Sequence, residues 1–261
     1  MDNFEMILSI KALSVKFKGL IAVNNFSMDV EKGSFHSLIG PNGAGKTTVV
    51  NALTRVVPST GTALFEGIDL LKMPAHRIIN AGVARTFQNL ELFKNLNVTG
   101  NLFIGAHHTI NYNFFDEIFG TKSYKSEQSR IFRNVTEISE MLDIKRYLNM
   151  SVSSLPYGTQ KLVEIGRAVI SKPKLLILDE PFAGLNDQES EKLKEEILRI
   201  KGLYALTILM IEHDMKIVMS VSDKITVMNF GEKIAEGSPS EIIQDRKVAE
   251  AYLGDRSYSR S

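Results

Sequence analysis

An α/β fold built on a mainly parallel sheet, covered on both faces, is what this sequence predicts, and three observations predict it. In the second half of the chain, short continuous apolar runs alternate with segments of helical apolar spacing, the pattern of doubly buried strands joined by crossover helices. A glycine-rich run, Gly40 to Gly45, separates an apolar run from a helix-competent one. The chain is 261 residues long, 44% hydrophobic and 23% charged, which suits a full core rather than a disordered chain.

In order, Ile7 to Phe17 and Phe26 to Val30 read as strands, broken by turns at Lys18-Gly19 and Lys32-Gly33. Phe35 to Ile39 is a short strand, Gly40 to Gly45 a loop, and Lys46 to Thr54 a helix; Gly61 to Leu70 then returns to β structure. From about Leu96 to Leu155 the spacing of Ile138, Met141, Leu142 and Ile144 predicts amphipathic helices. Within that region the polar, aromatic Asn111 to Ser129 reads as a loop or an insertion between helices. Leu162, Ile165 and Val169 set a helix over Gln160 to Lys172, ended by Pro173. Leu175 to Leu178 is a strand. Glu189 to Lys201 is a helix with Leu193, Ile197 and Ile200 inward and a Glu195–Arg199 pair on its solvated face. Leu206 to Ile211 and Ile225 to Phe230 complete the strands, the latter as the last buried one. The expected divisions are 1–95 (antiparallel β part and first part of the core), 96–165 (helical part), 166–240 (second part of the core) and 241–261 (tail).

Composition excludes several classes. With no cysteine there is no disulfide framework and no Cys-based zinc site. Lys and Arg total 31 against 30 Asp and Glu, so the chain lacks the basic excess of a nucleic-acid binder, and no nucleic-acid partner is expected. No apolar run approaches the ~18 residues that span a bilayer. The acidic start, Met1-Asp2-Asn3-Phe4-Glu5, does not resemble a secretory signal, and a cytoplasmic location is expected.

The chemistry begins at Gly40-Pro41-Asn42-Gly43-Ala44-Gly45-Lys46-Thr47, which matches G-x-x-x-x-G-K-[ST] between a strand and a helix. Such a loop turns backbone N–H groups toward phosphates; Lys46 adds a cation for the β and γ phosphates, Thr47 offers its hydroxyl to Mg²⁺, and Thr48 belongs to the same helix N-terminus. ATP and Mg²⁺ are the expected ligands. The apolar strand Leu175 to Leu178 ends in Asp179 and Glu180, at the strand end where α/β sheets bind ligands. Asp179 suits the Mg²⁺ shell and Glu180 the orientation or deprotonation of an attacking water. His107-His108 has no partner at metal-ligand spacing and reads as surface; ten scattered methionines read as core filler.

These motifs, with Gln88 in Arg85-Thr86-Phe87-Gln88, the segment Leu155-Pro156-Tyr157-Gly158-Thr159-Gln160 and His213 in Ile211-Glu212-His213-Asp214, resemble in order and spacing the ATP-binding cassette ATPases. The resemblance covers nearly the whole chain. It implies a P-loop NTPase (RecA-like) core with an N-terminal antiparallel β subdomain and an α-helical signature subdomain. Gly19 to Asn25, Glu212-His213-Asp214-Met215 and Ala251-Tyr252-Leu253-Gly254 further resemble the ATPase subunits of branched-chain amino-acid importers.

The resemblance implies that Gln88 touches Mg²⁺ or the attacking water, that His213 hydrogen-bonds the γ-phosphate, and that Phe17, 29 residues before Lys46, stacks on adenine; a core phenylalanine is the alternative reading of Phe17. It also implies that the segment holding Tyr157, Gly158, Thr159 and Gln160 caps the γ-phosphate bound to an opposite subunit through a helix starting near Gln160. Pro156 and Tyr157 depart from the commoner Leu-Ser-Gly-Gly-Gln, and Ala183-Gly184-Leu185-Asn186 departs from Ser-Ala-Leu-Asp. Two cassettes, identical or different, would close head to tail on MgATP and drive integral-membrane permease subunits at the inner face of the membrane, without touching the transported molecule. Urea or short amides as cargo, and a soluble non-transport ATPase, remain the alternatives. No Asn-Lys-x-Asp guanine motif is present.

Overall fold

The computed structural model describes residues 5–109, 116, 118 and 120–258. Two sheets organise it. The first is antiparallel, in the order β2-β1-β4-β5, from β1 (Met6–Phe17), β2 (Leu20–Glu31), β4 (Thr60–Phe65) and β5 (Ile68–Asp69). The second has the order β10-β9-β3-β8-β7-β6. Its members are β3 (Phe35–Ile39), β6 (Val83–Arg85), β7 (Leu175–Asp179), β8 (Thr207–Ile211), β9 (Lys224–Asn229) and β10 (Glu232–Gly237). All neighbours in it pair in parallel except β10, which is antiparallel to β9.

Alternation along the parallel strands assigns their two faces to two cores, because successive side chains point to opposite sides. Leu38, Ile177, Leu209, Ile211 and Met228 pack with the antiparallel sheet and helix α1 (Lys46–Leu53). Ile39, Leu176, Leu178, Ile208 and Met210 pack instead with the helical side. That side holds α2 (Val98–Gly105), α3 (Lys122–Met141), α4 (Tyr157–Val169), α5 (Asp187–Tyr204) and α6 (Met215–Val221). The tail forms α7 (Pro239–Gln244) and α8 (Arg246–Tyr258), the latter resting Val248 and Tyr252 on the same core. Among the described residues no helix is long and apolar enough to cross a membrane.

Several elements differ from the sequence expectation. Residues 122–129 open α3 rather than a loop, since Thr121 caps its first turn through Tyr124 N–H and Ile131, Val135 and Ile138 supply its buried stripe. Residues 111–115, 117 and 119 of the expected insertion lie outside the described residues. Helix α4 starts at Tyr157, three residues earlier than the apolar spacing indicates, with Pro156 as N-cap. Strand β2 begins at Leu20, carried by pairing with β1 rather than by apolar content. The partly exposed β10 follows β9, where no strand was expected, as an edge strand zipped antiparallel onto it. Arg199 pairs with Glu196, one turn back at i,i+3, and not with Glu195.

Candidate functional site

The carboxyl ends of β3 and β7 converge on the site. Strand β3 delivers Gly40, and the loop to Gly45 is wedged against neighbouring backbone: a side-chain carbon on Gly40 would meet the Met228 carbonyl oxygen at 2.1 Å, and one on Gly45 (φ +104°) the Ala22 oxygen at 2.6 Å. Both positions require glycine. The Gly231 N–H donates to the Ala44 oxygen at 2.9 Å, which pins the loop to the β9–β10 turn. Lys46 is 6% exposed. Its Nζ donates to the carbonyl oxygens of Gly40 and Pro41 at 2.7 and 3.0 Å, so the ammonium lies folded along the loop. Thr47 and Thr48 are half-buried in the first turn of α1, whereas Asn42 and Gly43 are exposed at the loop tip.

Asp179 ends β7 at 1% exposure. Its Oδ2 accepts from Arg85 at 2.7 Å in an ion pair buried on both sides, while Oδ1 is buried without a hydrogen-bond partner. Arg85 also donates to Asn51 Oδ1 at 2.7 Å and Thr54 Oγ1 at 3.1 Å, joining β6 and β7 to α1. Sequence reasoning did not single out Arg85, whose mark is a lone cation closing the short strand Val83-Ala84-Arg85.

Glu180 follows with φ +48°, a left-handed backbone that costs a non-glycine residue about 1–3 kcal/mol. Its N–H donates to the Ile211 oxygen at 2.9 Å, and its Oε2 accepts from Gln88 Nε2 at 3.0 Å. Gln88 and Glu180, 92 positions apart, thus meet directly. The loop carrying Gln88 is held from beneath by Glu164 of α4, whose Oε1 accepts from the N–H groups of Phe87 at 3.5 Å and Glu91 at 3.4 Å. Burial pushes the Glu164 carboxyl above the usual range, against the opposing charge of Lys161.

An apolar strand, a glycine loop along which Lys46 is folded, and a buried Asp179 beside Glu180 come together at the carboxyl ends of β3 and β7, the arrangement that suits a nucleotide-hydrolysing centre. The ABC transporter family pattern matches residues 23–183. The chain belongs to the ATP-binding cassette transporter family. It is an ATP-hydrolysing transporter subunit, and this cassette carries at residues 232–257 a second match, to the branched-chain amino acid ATP-binding cassette transporter family. The cassette is 40% identical over 250 residues to the high-affinity branched-chain amino acid transport ATP-binding protein BraF of Pseudomonas aeruginosa, covering 95% of this chain and 98% of the relative. The same identity and coverage relate it to LivG of Escherichia coli K12, which carries the same description. Among solved structures, the ADP conformation of MJ1267, an ATP-binding cassette of an ABC transporter, superposes with a TM-score of 0.83 at 30% identity over 96% of this chain and 99% of that one.

The remaining expected residues of the cassette sit on other elements than the phosphate loop. Phe17 is 42% exposed at the end of β1 and does not belong to the core. His213 follows β8 with its side chain 56% exposed. Tyr157, Gly158, Thr159 and Gln160 form the first turn of α4, which has no side-chain cap on Pro156, so the N–H groups of that turn have no acceptor from a capping side chain. The Tyr157 ring lies near Gly184, where a side-chain carbon would sit 3.2 Å from it. Asn186 is used locally: its Oδ1 accepts from the Glu189 N–H at 3.0 Å and Glu189 returns a bond to the Asn186 N–H, closing a capping box for α5.

Proposed function

We propose that this ATPase powers the import of branched-chain amino acids by closing head to tail on a second cassette around MgATP. The observation that carries the chemistry is the Gln88–Glu180 hydrogen bond beside Asp179. In this reading Lys46 leaves the loop carbonyls for the β and γ phosphates, and the N–H groups of Gly43, Ala44 and Gly45 cradle the anion. Glu180 orients and deprotonates the water that attacks the γ-phosphate, its strained backbone holding the carboxylate at the strand end. Gln88 aligns that carboxylate and His213 hydrogen-bonds the γ-phosphate. Phe17 supplies an open aromatic face for adenine.

Mg²⁺ fits the residues present. The unshared, buried Asp179 Oδ1 is the acceptor a hydrated divalent ion uses, with Thr47 and Gln88 as further oxygen donors. When bound, the ion neutralises charge developing on the transferred phosphoryl group.

The first turn of α4, with Tyr157, Gly158, Thr159 and Gln160, meets the γ-phosphate held by the opposite cassette, using backbone donors at a helix N-terminus. The helical arm, residues 96–165, carries that turn. A groove of about 560 Å³, lined by Phe87, Phe93, Ile104, Glu164 and Arg167, opens beside the loop carrying Gln88. Phe87 and Phe93 stand 41% and 50% exposed there. This supports docking of an integral-membrane permease subunit, which holds the cassette at the inner face of the cell membrane and receives its motion. The branched-chain substrate class rests on the relatives' descriptions and on the match at residues 232–257.

Glu180→Gln tests the scheme. It should bind ATP with near-normal affinity, lower turnover by about 10²–10⁴-fold, and accumulate a nucleotide-bound dimer on size exclusion. Turnover at the wild-type rate would remove Glu180 from the mechanism.

A further inference from the structure

Glu212 has no part in the scheme above, yet it is the side chain most deeply set between its loops. It follows β8 directly, precedes His213, and is 1% exposed. Among the described residues no lysine or arginine pairs with it; the nearest basic side chain is the His213 ring, Nδ1 to Oε2 at 3.7 Å. Its carboxylate is satisfied by backbone instead. Oε1 accepts from Phe182 N–H at 3.2 Å, and Oε2 accepts from His213 N–H at 2.9 Å and Asp214 N–H at 3.4 Å. Burial pushes the carboxyl above its ordinary pKa, partly opposed by those N–H groups. A buried carboxylate without a strong counter-charge is a costly way to fill space, since an apolar side chain would do so without the desolvation penalty. Two acceptor oxygens facing two segments are what the carboxylate adds.

Those segments are the loop Phe182 to Asn186, after Glu180, and the stretch Glu212 to Asp214. A cavity of about 440 Å³, lined among others by Gly184, Asp187, Lys194, His213 and Lys216, opens between them. Among the described residues, the Phe182–Glu212 hydrogen bond is the one that joins them. The loop also reaches the signature turn through Gly184 and Tyr157, so it borders the surface on which a second cassette would close.

We propose that Glu212 is a positioning residue that ties the Phe182–Asn186 loop to the His213 backbone, so that displacement of the loop on closure is delivered to the γ-phosphate contact. This rests on the ATPase reading above. Glutamine in its place has one acceptor oxygen. In either orientation its amide group faces N–H donors, so the tie breaks on the Phe182 side or on the His213 side.

The test compares full-length Glu212→Gln with wild type. ATP affinity should stay within about twofold and the melting temperature should not fall, while kcat drops by at least about tenfold, the signature of an interaction made only on the way to the transition state. Wild-type kcat would overturn the proposal, as would parallel losses of kcat, affinity and melting temperature, the mark of a purely structural role. Hydrogen exchange on the wild-type chain needs no variant. Addition of MgATP should protect the amides of Phe182 and His213 together, and independent changes would equally overturn the tie. Lys46→Ala run beside it separates the two levels: full turnover there would sink the ATPase site itself, whereas an inactive Lys46→Ala beside an unaffected Glu212→Gln would sink the tie alone.

Discussion

The phosphate-loop end and the signature end of this cassette are built on opposite terms. At the first, Gly40 and Gly45 press on fixed backbone, Lys46 is folded against the loop, and Asp179 and Arg85 are paired in the interior. At the second, Tyr157 is 40% exposed, Gly158 to Gln160 are half-buried, and the α4 N-terminus has no capping side chain. A closed end binds by itself; an open end contributes only when another surface arrives. In the proposed scheme this contrast separates ATP binding, set by one chain, from hydrolysis, set by assembly.

Substitution at the closed end should have the largest effect. Lys46→Ala removes the ammonium that the proposed scheme sends to the phosphates, and ATP affinity should fall on the order of 100- to 1,000-fold, about 3–4 kcal/mol, in isothermal titration. Unchanged affinity would undo the phosphate-loop assignment and with it the contrast.

A smaller, pH-dependent effect lies in the sheet beneath that end. His36, fully buried on β3, bonds Thr226 Oγ1 through Nε2 at 2.8 Å, and burial lowers its pKa to about 4. The fold therefore favours neutral imidazole. Its stability is intact above the ordinary pKa of about 6.5 and declines as pH falls from there toward 4, by up to about 3 kcal/mol. His36→Gln should flatten that acid limb in urea unfolding followed between pH 7 and 4; an unaltered limb would place the proton elsewhere.

Legibility in the sequence divided along the same line. The strand, loop and helix around Gly40 to Leu53 were readable because the residues act locally: an apolar run fixes β3, glycines fix the turn, and the motif is contiguous. The same holds for β7, whose continuous burial shows as continuous apolarity. The start of α4 at Tyr157 was not readable from spacing, because its first apolar anchor inside the core is Leu162 and the turn before it faces solvent. Strand β10 was invisible because Glu232, Lys233 and Glu236 flank its short apolar pair Ile234-Ala235 and its reason for existing is the edge of β9. Arg85–Asp179 and the Phe182–Glu212 bond join positions 94 and 30 apart. Such links depend on the folded sheet, and the chain carries only a lone arginine and a glutamate at the strand ends to hint at them.

The central claim, that the closed end of one chain is completed by the open end of another, is tested most directly by mixing two defective cassettes. Lys46→Ala spoils the phosphate loop, and Tyr157→Asp sets a carboxylate at the α4 N-terminus, at a position 40% exposed, where it repels a γ-phosphate presented by a partner. Each should bring ATP hydrolysis near background alone. Mixed in equal amounts, they form a pair with one intact site, and activity should recover to a substantial fraction of wild type. A mixture as inactive as its components, with both variants folded, would contradict the account.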